Sequence, residues 1–174
     1  MIGIDELPAD AFDGAVEDLA EVLHACVLDG ASVGFVLPFT LAEARAFWLG
    51  QRSAVLASDK CLLVARDGAR IVGTATLITA MPPNGRHRGE IAKVLVHPAA
   101  RRRGIARLLM EAAEALARAA GKRTLVLDTA GAAAEHLYRA LGWHEAGRIP
   151  AYALNVRGVP EPTIYMFKEL PADA

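Results

Sequence analysis

Cysteine is nearly missing from this chain: Cys26 and Cys61 are the only two among 174 residues. Neither belongs to a CxxC pair or to a Cys/His cluster, so no metal site is expected. Both lie inside apolar patterns and read as free thiols of a reducing compartment. An excess of positive charge is missing as well. Nineteen Lys and Arg against twenty Asp and Glu leave a formal net charge of -1. No overall basic field would draw nucleic acid, and any basic site must be local. Aromatics are only 6% of the chain, which leaves little for stacking bases. No apolar run approaches membrane-spanning length. The opening MIGIDELPAD is acidic and lacks the basic and apolar stretches of a signal peptide, so the expectation is a cytoplasmic protein. Repeats, low-complexity tracts and linkers are absent, and residues 1–174 are expected to form a single domain.

What is present is an alternation of two periodicities. Residues 9–29 place Phe12, Val16, Leu19, Val22, Leu23 and Val27 at helical spacing and stop at Gly30. A second helix opens at TLAEARAFW, where Thr40 and Glu43 form a capping box. From Lys60 the period changes to two β-rich runs joined at Asp67-Gly68, a hairpin signal. After the polar loop MPPNGRHRG comes the strand EIAKVLV, then a helix over about 104–120 closed by Gly121. Its apolar face is Ile105, Leu108, Leu109, Ala112, Ala113 and Leu116, with Arg107, Glu111, Glu114 and Arg118 outward. TLVLD reads as a buried strand, AAAEHLYRAL as a short helix, WHEAGR and TIYMFKEL as strands, and IPAYALNVRGVPEP as a loop. The order is α-α-β-β-β-α-β-α-β-β, an α/β (α+β) fold with a mixed sheet.

The densest local chemistry is VHPAARRRGIARLLM, residues 96–110. A strand runs into a tight basic turn and then a helix. The first N–H groups of that helix, at Ile105, Ala106 and Arg107, have no partners within it, and the helix dipole makes this end partly positive. Gly104 has no side chain to hold a ligand off, and Arg101, Arg102 and Arg103 add donors suited to phosphate. These features predict a pyrophosphate seat, against the plainer reading of a solvated helix start. There is no GxxxxGK[ST] for a P-loop and no GxGxxG for a dinucleotide fold.

The spacing that fits is R-x-x-G-x-A, from Arg101, Gly104 and Ala106, placed between a strand and a helix. With the later LYRALGW, it resembles the two landmarks of the GNAT superfamily of N-acetyltransferases. GASVGF, PNG, LDT, IPAYA and TIYMFK are similar to the tabtoxin resistance subgroup, which acetylates a β-lactam amino acid toxin. The resemblance implies a mostly antiparallel GNAT-like sheet whose central strands 4 and 5 splay apart. It implies acetyl-CoA as co-substrate and a small-molecule amine as acceptor, in a monomer or homodimer, without metal. It makes Glu90 or Asp128 the base, the backbone of Val94, Leu95 and Val96 the seat of the thioester with Leu95 as oxyanion donor, and Tyr138 the general acid. The asparagine that many members carry between the positions of Asp128 and Tyr138, where it contacts the cofactor, is missing from TAGAAAEHL. A non-catalytic acyl-CoA sensor is the other function compatible with this cofactor.

Each of these residues also has a structural reading. Asp128 at a strand end could cap the next helix. Glu90 could pair with Arg86 or Arg88 on the surface. Tyr138, beside Leu137 and Leu141, could be a core residue, and the five histidines have no ligand spacing.

Overall fold

The computed structural model describes residues 2–171. Seven strands form one sheet: β1 (Ile2–Glu6), β2 (Lys60–Asp67), β3 (Arg70–Ile78), β4 (Arg88–Val96), β5 (Thr124–Thr129), β6 (His144–Leu154) and β7 (Pro160–Glu169). Their order across the sheet is β1-β2-β3-β4-β5-β7-β6. All neighbouring pairs are antiparallel except β4 and β5, which run parallel. This is the mixed, mostly antiparallel sheet expected. Four helices accompany it among the described residues: α1 (Phe12–Leu28), α2 (Leu41–Leu56), α3 (Ile105–Ala119) and α4 (Ala132–Ala140).

Strand alternation sends successive side chains to opposite faces. In β2, Leu62 and Val64 join the cluster under α1 and α2, and Leu63 and Ala65 join the cluster under α3 and α4. The Thr40–Glu43 capping box forms. The Glu43 N–H donates to Thr40 Oγ1 at 3.2 Å, and the Thr40 N–H donates to Glu43 Oε2 at 2.7 Å.

Four expectations need correction. β1 went unforeseen because its five residues mix isoleucines with glycine and acids, and it is an edge strand whose only strand partner is β2. With it, the strand before α3 is the fourth. β6 does not end at Arg148: it runs through IPAYAL and pairs with β7 as far as Leu154 opposite Pro160, across an irregularity between Ile149 and Ala153. The hairpin link is Gly68-Ala69, since Asp67 still pairs with Arg70, and the φ of +63° at Gly68 suits glycine. Finally, the buried stripe of α3 includes Met110 and Glu114, while Leu108 is 40% exposed. Glu114 can be buried because Trp143 Nε1 and Lys168 Nζ donate to its two oxygens at 2.9 and 2.6 Å.

Candidate functional site

The site begins where the sheet stops being a sheet. β4 and β5 pair only over Arg88–Glu90 and Thr124–Val126. Beyond Glu90 and Val126 they part, and a cavity of about 690 Å³ opens between Ile91–Val96 on one side and Leu127–Gly131 on the other. A β-bulge in β4 sets its walls. Thr76 in β3 faces Ala92, but Thr74, two residues on, faces Leu95, three residues on, so β4 holds one extra residue there. Lys93 sits in that bulge with φ +51°. The extra residue switches faces: Ile91 packs under α3, whereas Leu95, four residues later, packs under α1 and α2. In an unbroken strand the two would share a face.

The floor of the cavity at one end is the basic turn. After a short 3-10 turn at Pro98–Ala100, the chain passes Arg102 and Gly104, both in the left-handed region at φ +60° and +75°, and Gly104 is the N-cap residue of α3. The backbone is thus bent so that the first turn of α3 faces the opening. Arg101, Arg102, Gly104, Ile105, Ala106 and Arg107 line it, as do Val94, Leu95 and Val96. Arg103 does not: its guanidinium is turned to Asp67 at 2.6 Å. Arg101 pairs with Asp29 and donates through Nε to the Val96 carbonyl at 3.3 Å. Arg107 lies 3.7 Å from Glu111. The carboxylates that hold Arg101 and Arg103 are open to solvent, which screens both pairs and leaves them weak.

At the other end stand the groups with acid–base character. Asp128 lines the large cavity and accepts from Thr163 Oγ1 at 2.9 Å. It does not cap α4, whose N-cap residue is Gly131. Its cross-strand neighbour is Tyr165, whose hydroxyl lies 2.6 Å from that of Tyr152. That hydrogen bond is the main reason the Tyr165 phenol is held up to about 12. Tyr138 projects from α4 into the same cavity with its ring packed near Trp143. Burial pushes its phenol up to about 12, and the charge of Asp128 adds to this.

Glu90 lies elsewhere. It lines a smaller cavity of about 280 Å³ beneath α2, together with Lys60, Lys93 and Thr76. Arg88 is not turned toward it, since its Nη2 approaches the Met81 sulfur at 3.9 Å. The two cavities share Ala92 and Lys93, the residues at the bulge. Burial lowers the Lys93 pKa, opposed by the charge of Asp128, lowered further by Lys60 and opposed by Glu90. The ammonium rests 5.5 Å from the centre of the Phe47 ring.

Lys60, Lys93, Phe47 and Thr163 were not picked out from the sequence. Only Lys93 carried a signal, as a cation in the middle of the apolar strand EIAKVLV. Among the described residues no group of three His, Cys, Asp or Glu could hold a metal ion, and no helix is long and apolar enough to cross a membrane.

Comparison with known proteins agrees with this architecture. The acetyltransferase (GNAT) family matches residues 35–143. An uncharacterized N-acetyltransferase from the hisH-hisA intergenic region of Azospirillum brasilense is 32% identical over 117 residues, 66% of this chain and 68% of its own. Salmonella typhimurium yncA, solved with its cofactor acetyl-CoA, superposes with a TM-score of 0.78 at 20% identity over 100% of this chain and 96% of that one. A phosphinothricin acetyltransferase from Sinorhizobium meliloti in complex with acetyl-CoA gives 0.78 at 21% identity, over 97% and 88%.

Proposed function

The chain belongs to the acetyltransferase (GNAT) family and is an N-acetyltransferase using acetyl-CoA, and from that premise we propose that the wedge between β4 and β5 seats the cofactor. The acceptor is the amine of a small polar or amino acid-like molecule, of the kind represented by a β-lactam toxin or an antibiotic-like amine. Residues 1–174 act as one catalytic domain. The observation that carries the assignment is the parting of the two strands beyond Glu90 and Val126, directly onto the first turn of α3.

Each part of the cofactor has a partner of suitable chemistry. The pyrophosphate meets the free N–H groups of Ile105, Ala106 and Arg107 and the cation of Arg102. Arg101 can exchange a weak ion pair with Asp29 for the phosphate. Arg103 supports the turn from its place on Asp67. The pantetheine arm uses the backbone of Val94 to Val96, which lost its strand partner when β5 turned away. Leu95 pairs with Thr74, and His97 two residues on donates to the Val72 carbonyl, so both face β3. The oxyanion that forms as the carbonyl carbon becomes tetrahedral is served instead by the N–H of Val94 or Val96 on the open side.

The amine attacks only in its unprotonated form. Asp128 lines the cofactor cavity and also bears on Lys93 at the acceptor side. It is therefore the proposed base, and Glu90 faces the incoming ammonium from the smaller cavity. The C–N bond forms, the C–S bond breaks, and the amine proton leaves through Asp128. Tyr138 donates a hydrogen bond to the departing sulfur. Full transfer from a phenol near 12 to a thiolate of ordinary pKa, about 8.5, would be uphill by roughly 5 kcal/mol. CoA accordingly departs as a hydrogen-bonded thiolate that takes its proton afterwards.

Calorimetry tests the reading. Acetyl-CoA should bind at about micromolar affinity or tighter, and no binding would sink the proposal. Arg102→Glu should weaken binding more than Arg103→Glu, because only Arg102 lines the cavity. Equal effects would misplace the pyrophosphate.

A further inference from the structure

The smaller cavity has a composition that a plain amine does not explain. Its walls are apolar where α2 and the sheet meet, at Phe47, Trp48, Val55 and Leu62. Into this setting come two ammonium groups, Lys60 and Lys93, and one carboxylate, Glu90. Two half-buried cations in one apolar recess repel each other, and within the recess itself Glu90 alone offsets them, since Asp128, which also acts on Lys93, lines the other cavity.

Lys60 is held in place from outside the cavity's chemistry. Gln51 donates through Nε2 to the Phe47 carbonyl at 3.3 Å, one helical turn back, which fixes its amide. Its Oε1 then accepts from Lys60 Nζ at 2.6 Å. An ammonium has three donors, so two are left for a ligand. Lys93 reaches the same recess from the bulge, its ammonium beside the Phe47 ring. On β3 beside the bulge, Thr76 lines this recess with a buried hydroxyl that has no hydrogen-bond partner. Polar groups so placed are uncommon in a finished interior.

The positions of the charges fit a zwitterion. Lys60 and Glu90 lie in the smaller cavity, Asp128 lines the wedge of the thioester seat, and Lys93 stands at the bulge between the two. We propose that Lys60 and Lys93 form a clamp for an oxyanion, so that the acceptor is a small amine carrying a carboxylate or a similar group, held with its amine toward Glu90 and Asp128. This rests on the acetyl-CoA reading above and names the acceptor class for the same site. Lys60, Lys93 and Gln51 thereby select the acceptor, and the apolar walls accept its side chain.

The experiment uses a panel of free amino acids, each paired with its carboxamide, and follows thiol release from acetyl-CoA. For the best acceptors the wild-type kcat/KM for the acid should exceed that for the amide at least about tenfold. Lys60→Met should collapse this preference mainly through KM, and Lys60→Arg should restore part of it. Acids and amides accepted equally by the wild type, or a preference that survives in Lys60→Met, would overturn the clamp. If Lys60→Met does not fold, the wild-type ratio alone decides. Calorimetry separates the two readings. If acetyl-CoA binds and the panel binds without preference for acids, the clamp falls and the cofactor seat stands. If acids bind preferentially but acetyl-CoA does not, the seat falls and the clamp stands.

Discussion

At the scale of single residues, one position can act differently depending on what its surroundings do to its proton. Tyr138 keeps its proton throughout the working range, because burial pushes its phenol up to about 12. Below that value it stays neutral and donates a hydrogen bond to the departing sulfur. A hydrogen bond to a charged partner is worth about 1.5–3 kcal/mol. Tyr138→Phe should therefore lower kcat about ten- to a hundredfold while the shape of the kcat–pH profile stays that of the wild type up to at least about pH 10. A basic limb that vanishes in Tyr138→Phe would mean that the phenol titrates in the working range. The stability linkage has the same sign. The folded pKa lies above the unfolded value of about 10, so the neutral phenol's contribution is complete below about pH 10 and fades as pH rises toward about 12. Asp128→Asn should cost more, about a hundredfold or beyond, because it removes the base itself.

At the scale of elements, β3 and β4 are held at close range by a glycine. A Cβ on Gly73 would lie 2.9 Å from the Leu95 carbonyl oxygen, 3.2 Å from Ile105 Cγ2 and 3.3 Å from Leu109 Cδ1. The first of these is backbone and cannot swing aside. Gly73→Ala should destabilise the fold by about 1–3 kcal/mol, seen as a lower midpoint in urea. It should also weaken acetyl-CoA binding, since the displaced backbone is that of Leu95. A variant as stable as the wild type would show that β3 and β4 have slack here. This element scale is also where the sequence was most and least informative. The helices were legible because Phe12, Val16, Leu19 and Leu23 repeat at 3.6 residues and Thr40 with Glu43 marks a start. The basic turn onto α3 was legible because Gly104 stands between a strand and a helix. β1 was not, because five residues at an edge carry too little pattern. The bulge at Lys93 was not, because an extra residue shows only against the partner strand. The smaller cavity is assembled from α2, β2, β3 and β4, whose meeting no local pattern encodes. Arg103 looked like its neighbours and was separated from them only by the position of Asp67 at the end of β2.

At the scale of the molecule, the sheet is two units joined by a narrow seam. β1 to β4 form one ladder and β5, β7 and β6 another, and the parallel contact between them spans Arg88–Glu90 and Thr124–Val126. Past that seam the cavity of about 690 Å³ separates them. A ligand lying in the wedge would touch Val94 to Val96 on one unit and Leu127, Asp128 and Tyr138 on the other. Acetyl-CoA should thus stabilise the whole chain as well as its own seat. At a hundredfold excess over Kd the linkage amounts to about 2.7 kcal/mol. For a chain of this size that corresponds to a rise in Tm of roughly 5–11 °C. Hydrogen exchange adds the location: protection should increase in β5 and α4 together with the turn before α3. A Tm that rises while β5 and α4 exchange as before would mean that the cofactor rests on the basic turn without bridging the wedge. The thioester would then lie too far from Asp128 for the chemistry proposed.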